Sequence, residues 1–143
     1  MLRLRITVEH PLPGVALQVQ RGKAGLLAPT RSSANSVSFD FVVRVGPTSA
    51  SKLPRFLGEF TQGPVGERFV YVNSGQRAGQ AVSCWERRAK VPLLNITPAQ
   101  ICRVLADDKL ILEARIAGLA RDGGPLCASV PLLDGAWVVR SAR

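Results

Sequence analysis

The sequence predicts an all-β fold, an antiparallel β-sandwich or partly closed barrel of eight to nine strands with one short helix, as a single domain over residues 1–143. Three observations predict it. Apolar and polar residues alternate with period two in segment after segment, Gly- and Pro-bearing turns separate these segments at short intervals, and only one stretch carries a helix start. A chain of 143 residues, 46% hydrophobic and 20% charged, can also bury a core without staples.

Leu2, Leu4, Ile6 and Val8 alternate with Arg3, Arg5, Thr7 and Glu9, the pattern of a strand with one buried face. Pro11, Pro13 and Gly14 end it. Val15, Leu17 and Val19 alternate with Gln18 and Gln20 in a second strand, closed by the turn Arg21-Gly22-Lys23-Ala24-Gly25. Residues 28–36 are polar and without period, which predicts a mobile loop. Val37, Phe39, Phe41, Val43 and Val45 then line one side of a long strand whose other side shows Ser38, Asp40 and Arg44. After Gly46-Pro47, residues 55–73 read as a hairpin around Gly63-Pro64-Val65-Gly66, and Asn73 to Gln80 as a glycine-bearing loop. Trp85 to Leu93 extends again, with Pro92 marking an edge or a strand end.

Thr97-Pro98-Ala99-Gln100 is the helix start: threonine to cap, proline in the first turn, glutamine to reach back. A helix of roughly ten residues is expected, with Ile101, Val104 and Leu105 on one face and Asp107-Asp108 at its end. Leu110 to Ala120 is a strand, Asp122-Gly123-Gly124 a turn, Leu126 to Leu132 a further strand, and Asp134-Gly135 a tight turn into Trp137, Val138 and Val139.

The formal charge of +9 favours anionic partners, and the excess lies in the first hundred residues without a run of like charges, so it does not read as a basic tail. The N-terminal alternation lacks the continuous apolar stretch of a secretion signal, and no apolar run approaches the ~20 residues of a membrane-spanning helix, so a cytoplasmic location without membrane association is expected. Cys84, Cys102 and Cys127 are odd in number and form no CxxC pair; free thiols, no intramolecular disulfide and no metal site are expected.

Gly63-Pro64-Val65-Gly66-Glu67-Arg68-Phe69-Val70-Tyr71, then Cys84-Trp85-Glu86-Arg87-Arg88-Ala89-Lys90-Val91-Pro92-Leu93, then Asp122-Gly123-Gly124-Pro125-Leu126-Cys127-Ala128 together resemble a bacterial domain-of-unknown-function family, number 5990. The resemblance spans nearly the whole chain, including Gln20-Arg21-Gly22-Lys23. It implies a single domain and carries no activity, substrate or catalytic residue. Members often have a tryptophan before the glycine matching Gly75, and here Ser74 stands there.

Candidate chemistry is sparse. His10, the one histidine, ends a strand before Pro11, where a turn role outweighs that of a base. Cys84 lies near Arg87, Arg88 and Lys90, cations that favour a thiolate, yet a small half-buried side chain is the commoner reading for any of the cysteines. The turns holding Arg21 and Lys23, and Gly63 to Gly66, offer backbone N–H groups beside positive side chains, as anion nests do, but hairpin closure explains their glycines. Neither completes a phosphate loop. Glu113 and Arg115 share one strand side and predict an ordinary ion pair. Aromatics are 6% of residues and mostly at core positions, which leaves nucleic acid to be bound through charge alone.

The strand from Trp85 to Leu93 is the most informative segment. Alternation sets Trp85, Ala89, Val91 and Leu93 on an apolar face and Arg87 with them, and an arginine there requires a carboxylate or a bound anion. The sequence therefore predicts a non-enzymatic domain binding a small molecule or a protein, with Trp85, Arg87, Arg68 and Tyr71 as ligand-binding candidates, Arg21 and Lys23 as anion-binding candidates, and no cofactor. Its rivals are a basic module on nucleic-acid phosphates and an enzyme using Cys84 or His10.

Overall fold

The computed structural model of the chain describes residues 2–11, 15–21, 26–43, 69–78, 81–93, 96–117 and 136–143. They form nine strands and, among the described residues, one helix, α1: β1 (Leu2–Glu9), β2 (Val15–Arg21), β3 (Leu26–Leu27), β4 (Arg31–Ser32), β5 (Ser36–Val43), β6 (Phe69–Ala78), β7 (Ala81–Pro92), α1 (Pro98–Ala106), β8 (Leu110–Ala117) and β9 (Trp137–Ser141). Two sheets result, one of five strands in the order β4-β5-β1-β8-β9 and one of four in the order β3-β2-β6-β7. The fold is a sandwich-like all-β structure, as the alternation predicts.

The core lies between the sheets. Leu2, Leu4, Ile6 and Val8 of β1, Phe39 and Phe41 of β5, Leu112, Ala114 and Ile116 of β8 and Trp137 of β9 meet Val19 of β2, Val70 and Val72 of β6 and Val91 of β7 in one buried cluster. Each of these strands contributes alternate residues, so its other residues face away from the core. The Trp137 indole N–H crosses between the sheets to donate to the Pro92 carbonyl at 2.9 Å, which satisfies a polar group on a buried ring.

Within the five-stranded sheet β1 pairs antiparallel with β5 and parallel with β8. The parallel pair is the departure from an antiparallel sandwich: β8 reaches β1 over a long stretch of chain, so no hairpin imposes its direction. Three local expectations are also corrected. Residues 28–36 contain β4, which pairs with β5 and is fixed by a Thr30 N–H donated to the Ser38 carbonyl at 2.8 Å and an Asp40 N–H donated to the Thr30 hydroxyl at 2.9 Å. Asn73 to Ala78 is strand and not loop, because β6 runs on beside both β2 and β7. Leu105 is exposed, and only Ile101 and Val104 of α1 are buried. The first arm of the expected hairpin and the strand from Leu126 to Leu132 lie outside the described residues.

The helix begins as its sequence dictates. The Thr97 hydroxyl accepts from the Gln100 N–H at 3.2 Å, and the Gln100 side chain accepts from the Thr97 N–H at 2.9 Å, a reciprocal capping box. Arg3 closes the other end, its guanidinium donating to the carbonyls of Val104 at 2.9 Å, Asp107 at 2.8 Å and Leu110 at 3.1 Å. Thr97→Ala should therefore lower stability by about 1 kcal/mol, read as a lower urea midpoint with unchanged slope. An unchanged midpoint would mean that the cap contributes nothing. No helix among the described residues is long and apolar enough to cross a membrane.

Candidate functional site

The face of the five-stranded sheet turned away from the core carries an unusual density of charge. Alternation puts Arg3, Arg5, Thr7 and Glu9 there from β1, Ser38 and Asp40 from β5, and Glu113 and Arg115 from β8, while β4 adds Arg31 opposite Ser38. Because β1 is central, its polar side is covered by neighbouring side chains. Arg5 is 6% exposed and Thr7 5%. A strand read as half-buried is thus buried on both sides, and its polar groups need internal partners.

They have them. Arg5 forms a two-pronged pair with Asp40, Nε to Oδ1 at 2.7 Å and Nη2 to Oδ2 at 3.0 Å, and Nη2 also donates to the Ala142 carbonyl at 2.9 Å. The Asp40 hydrogen bond raises the Arg5 pKa against the opposing effect of burial. Thr7 donates to Glu113 Oε2 at 3.0 Å and shares a hydrogen bond with the Ser38 hydroxyl at 2.9 Å. Glu113, 5% exposed, also accepts from Arg115 Nε at 2.7 Å and lies 3.3 Å from Arg140 Nε. Arg115 reaches Glu9 as well, at 2.9 Å, and its bonds to Glu113 first and Glu9 second raise its pKa. The predicted Glu113–Arg115 pair is present, inside a wider network whose buried carboxylate orients two guanidiniums.

Over this face opens a cleft of about 570 Å³, lined by Arg5, Thr7, Glu9, His10, Arg31, Ser32, Ser33, Asn35, Ser36, Ser38, Glu113, Arg115 and Arg143. Its rim at residues 33–36 is a hydroxyl-built turn: Ser33 Oγ accepts from the N–H groups of Asn35 at 3.2 Å and Ser36 at 3.1 Å. His10 has a left-handed backbone, φ 53°, and its N–H donates to the Asn35 carbonyl at 2.7 Å, tying the end of β1 to that rim. The lining holds guanidiniums, hydroxyls, an amide and two carboxylates, Glu9 and Glu113, both of which are bonded to Arg115, with His10 the one ring. Such a surface can hold an anion and a hydroxylated body, and offers no platform for stacking a base.

Of the ligand candidates from sequence, Trp85, Arg87 and Tyr71 belong to the other sheet. Trp85 and Arg87 are both in β7, but Gly75 pairs with Trp85 and Ser74 with Arg87, so Glu86 is an extra residue between them. Strict alternation, the ground for setting the two on one face, does not hold across that bulge. Their side chains lie outside the described part, as do that of Arg21, which ends β2 opposite Val70, and the whole of Arg68 and Lys23. Tyr71 is half-buried in β6, paired with Gln20 and Lys90. Val70 and Gly75, the partners of Arg21 and Trp85, are separated along β6 by Tyr71, Val72, Asn73 and Ser74. Cys102 is a free, half-buried thiol; the side chains of Cys84 and Cys127 are outside the described part. No cluster of metal-ligating side chains occurs among the described residues.

A model of a family of unknown function, DUF5990, matches residues 2–140. The chain belongs to this family. The DUF5990 match takes in both sheets and the cleft's network up to Arg140, and residues 141–143 lie beyond it. Comparison with the curated proteins and with the solved structures finds no match.

Proposed function

We propose that the chain is a binding module for a small, hydrophilic, anionic ligand held in the cleft of the five-stranded sheet. The observation that carries this reading is the division of labour among the cleft's arginines. Arg5 is committed to Asp40, and Arg115 to Glu113 and Glu9. Arg31 is half exposed and lines the cleft; among the described residues its one hydrogen bond is from Nη2 to the Ala142 carbonyl at 3.1 Å, with Asp40 at 3.8 Å, which leaves Nε and Nη1 with donors to offer. Serine and threonine hydroxyls around it suit a ligand that itself carries hydroxyls. A volume of about 570 Å³ is that of a small-molecule site.

Inorganic phosphate and citrate, titrated at constant ionic strength and followed by amide chemical shifts, should bind saturably and perturb residues 31–38. Arg31→Ala should weaken that binding about tenfold, the loss of one charge-assisted contact. Trp85, Arg87, Arg68 and Tyr71 are the rival location, for which Arg87→Ala serves as the matching variant. If neither anion saturates, while generic duplex DNA binds with a steep dependence on salt, the cleft reading fails and the charge of +9 serves nucleic-acid phosphates instead.

A further inference from the structure

Resting on that reading of the cleft, we infer that Ala142 and Arg143 form a strap that completes the anion site, with Arg143 as a ligand-contacting residue positioned through Ala142. The segment beyond β9 does not run off into solvent. The Ala142 N–H donates to the Lys109 carbonyl at 2.8 Å, and the Ala142 carbonyl accepts from Arg5 at 2.9 Å and Arg31 at 3.1 Å. Ala142 is therefore held through both its N–H and its C=O, and one of its anchors, Arg5, is itself buried against Asp40. A neutral carbonyl that takes two guanidinium donors is fixed more firmly than an ordinary surface backbone group.

The consequence falls on the next residue. Arg143 lines the cleft, and it also borders a second hollow of about 530 Å³ beside Asp108 and Lys109. Its backbone N–H reaches the Ser141 hydroxyl at 3.5 Å, while no described residue accepts from its guanidinium. Arg31 and Arg143 are thus the two cleft arginines that, among the described residues, no carboxylate holds by a hydrogen bond, and the Ala142 anchor brings them to the same opening. Two such groups at one opening match a ligand with two negative charges, such as a phosphate monoester or a dicarboxylate, better than a monovalent anion.

Inorganic phosphate is the probe. Arg143→Ala should weaken phosphate binding about tenfold, and Arg143→Lys, which keeps the charge, should stay within about threefold of the unsubstituted chain. Ala142→Pro removes the N–H that holds the strap while keeping the carbonyl. It should lose as much affinity as Arg143→Ala, and adding Arg143→Ala to it should cost nothing more, because a released strap no longer presents the guanidinium. Should Ala142→Pro fail to fold, the exposed Arg143 variants still decide. Unchanged affinity in Arg143→Ala, or tighter binding in Ala142→Pro, would overturn the strap. Loss of binding in Arg31→Ala with full binding in Arg143→Ala leaves the cleft standing and removes only the strap; a chain that binds no phosphate at all removes both.

Discussion

Asp40→Ala is expected to lower the stability of the chain by about 3 kcal/mol. Asp40 is the carboxylate that faces Arg5, and it meets both prongs of the guanidinium, at 2.7 and 3.0 Å. Arg5 lies in the centre of the five-stranded sheet with 6% of its surface exposed, so it cannot turn to water when the carboxylate is gone. The Ala142 carbonyl remains, but a neutral acceptor does not replace an ion. Removing one partner of a buried pair costs about 3–5 kcal/mol, and the 27% exposure of the Asp40 side chain, which lets water reach the vacated space, places the expectation at the low end. The check is urea unfolding of Asp40→Ala beside Asp40→Ala/Arg5→Met. The second variant removes the orphaned charge and should regain most of the loss. A loss below about 0.5 kcal/mol in the single variant, the range of ordinary surface changes, would show that Arg5 finds solvent.

Phe39→Ala should cost about 4 kcal/mol, the usual toll for deleting a buried ring. Phe39 is wholly buried in the cluster between the sheets, while of its neighbours on β5 Ser38 lines the cleft and Asp40 holds the cleft residue Arg5. The two functions sit on opposite sides of one strand. Backbone pairing of β5 with β1 holds Ser38 and Asp40 in place regardless of what fills the core. The variant should thus unfold at much lower denaturant and yet bind phosphate normally while folded. A matching collapse of affinity would mean that the core sets the cleft's shape.

Much of the architecture was legible because one physical signal, period-two alternation, is strong where one face is apolar: Leu2 to Glu9, Val15 to Gln20 and, of the strand read from Val37 to Val45, the described part to Val43 all extend. The helix was legible through its cap. Asn73 to Ala78 was not, because Asn-Ser-Gly has turn chemistry and pairing with two neighbours overrides it. The two-residue β4 is too short for any period to show. The cleft was hidden for a different reason. Alternation assigns Arg5, Thr7 and Glu113 to a polar face without saying that neighbouring strands cover it, and the lining comes from segments as distant as Arg5, Arg31, Glu113 and Arg143. Only the parallel β1–β8 pairing brings Thr7 to Glu113, and no local pattern encodes that pairing.

That pairing also dictates an order of events during synthesis. β1 is made before either of its neighbours; β5 can join it early, but β8 becomes available only after residues 110–117 have been added. For that interval β1 presents one flank of unpaired backbone N–H and C=O groups, on a strand whose Leu2, Leu4, Ile6 and Val8 await their cover. The Arg5–Asp40 pair can already form at that time, whereas the Thr7–Glu113 bond cannot. Long-range strand pairing of this kind is slow to form and leaves partly folded chains open to edge-to-edge association. The charged residues on the outward side of β1, which later build the cleft, stand on the growing chain as its protection against a neighbour's strand.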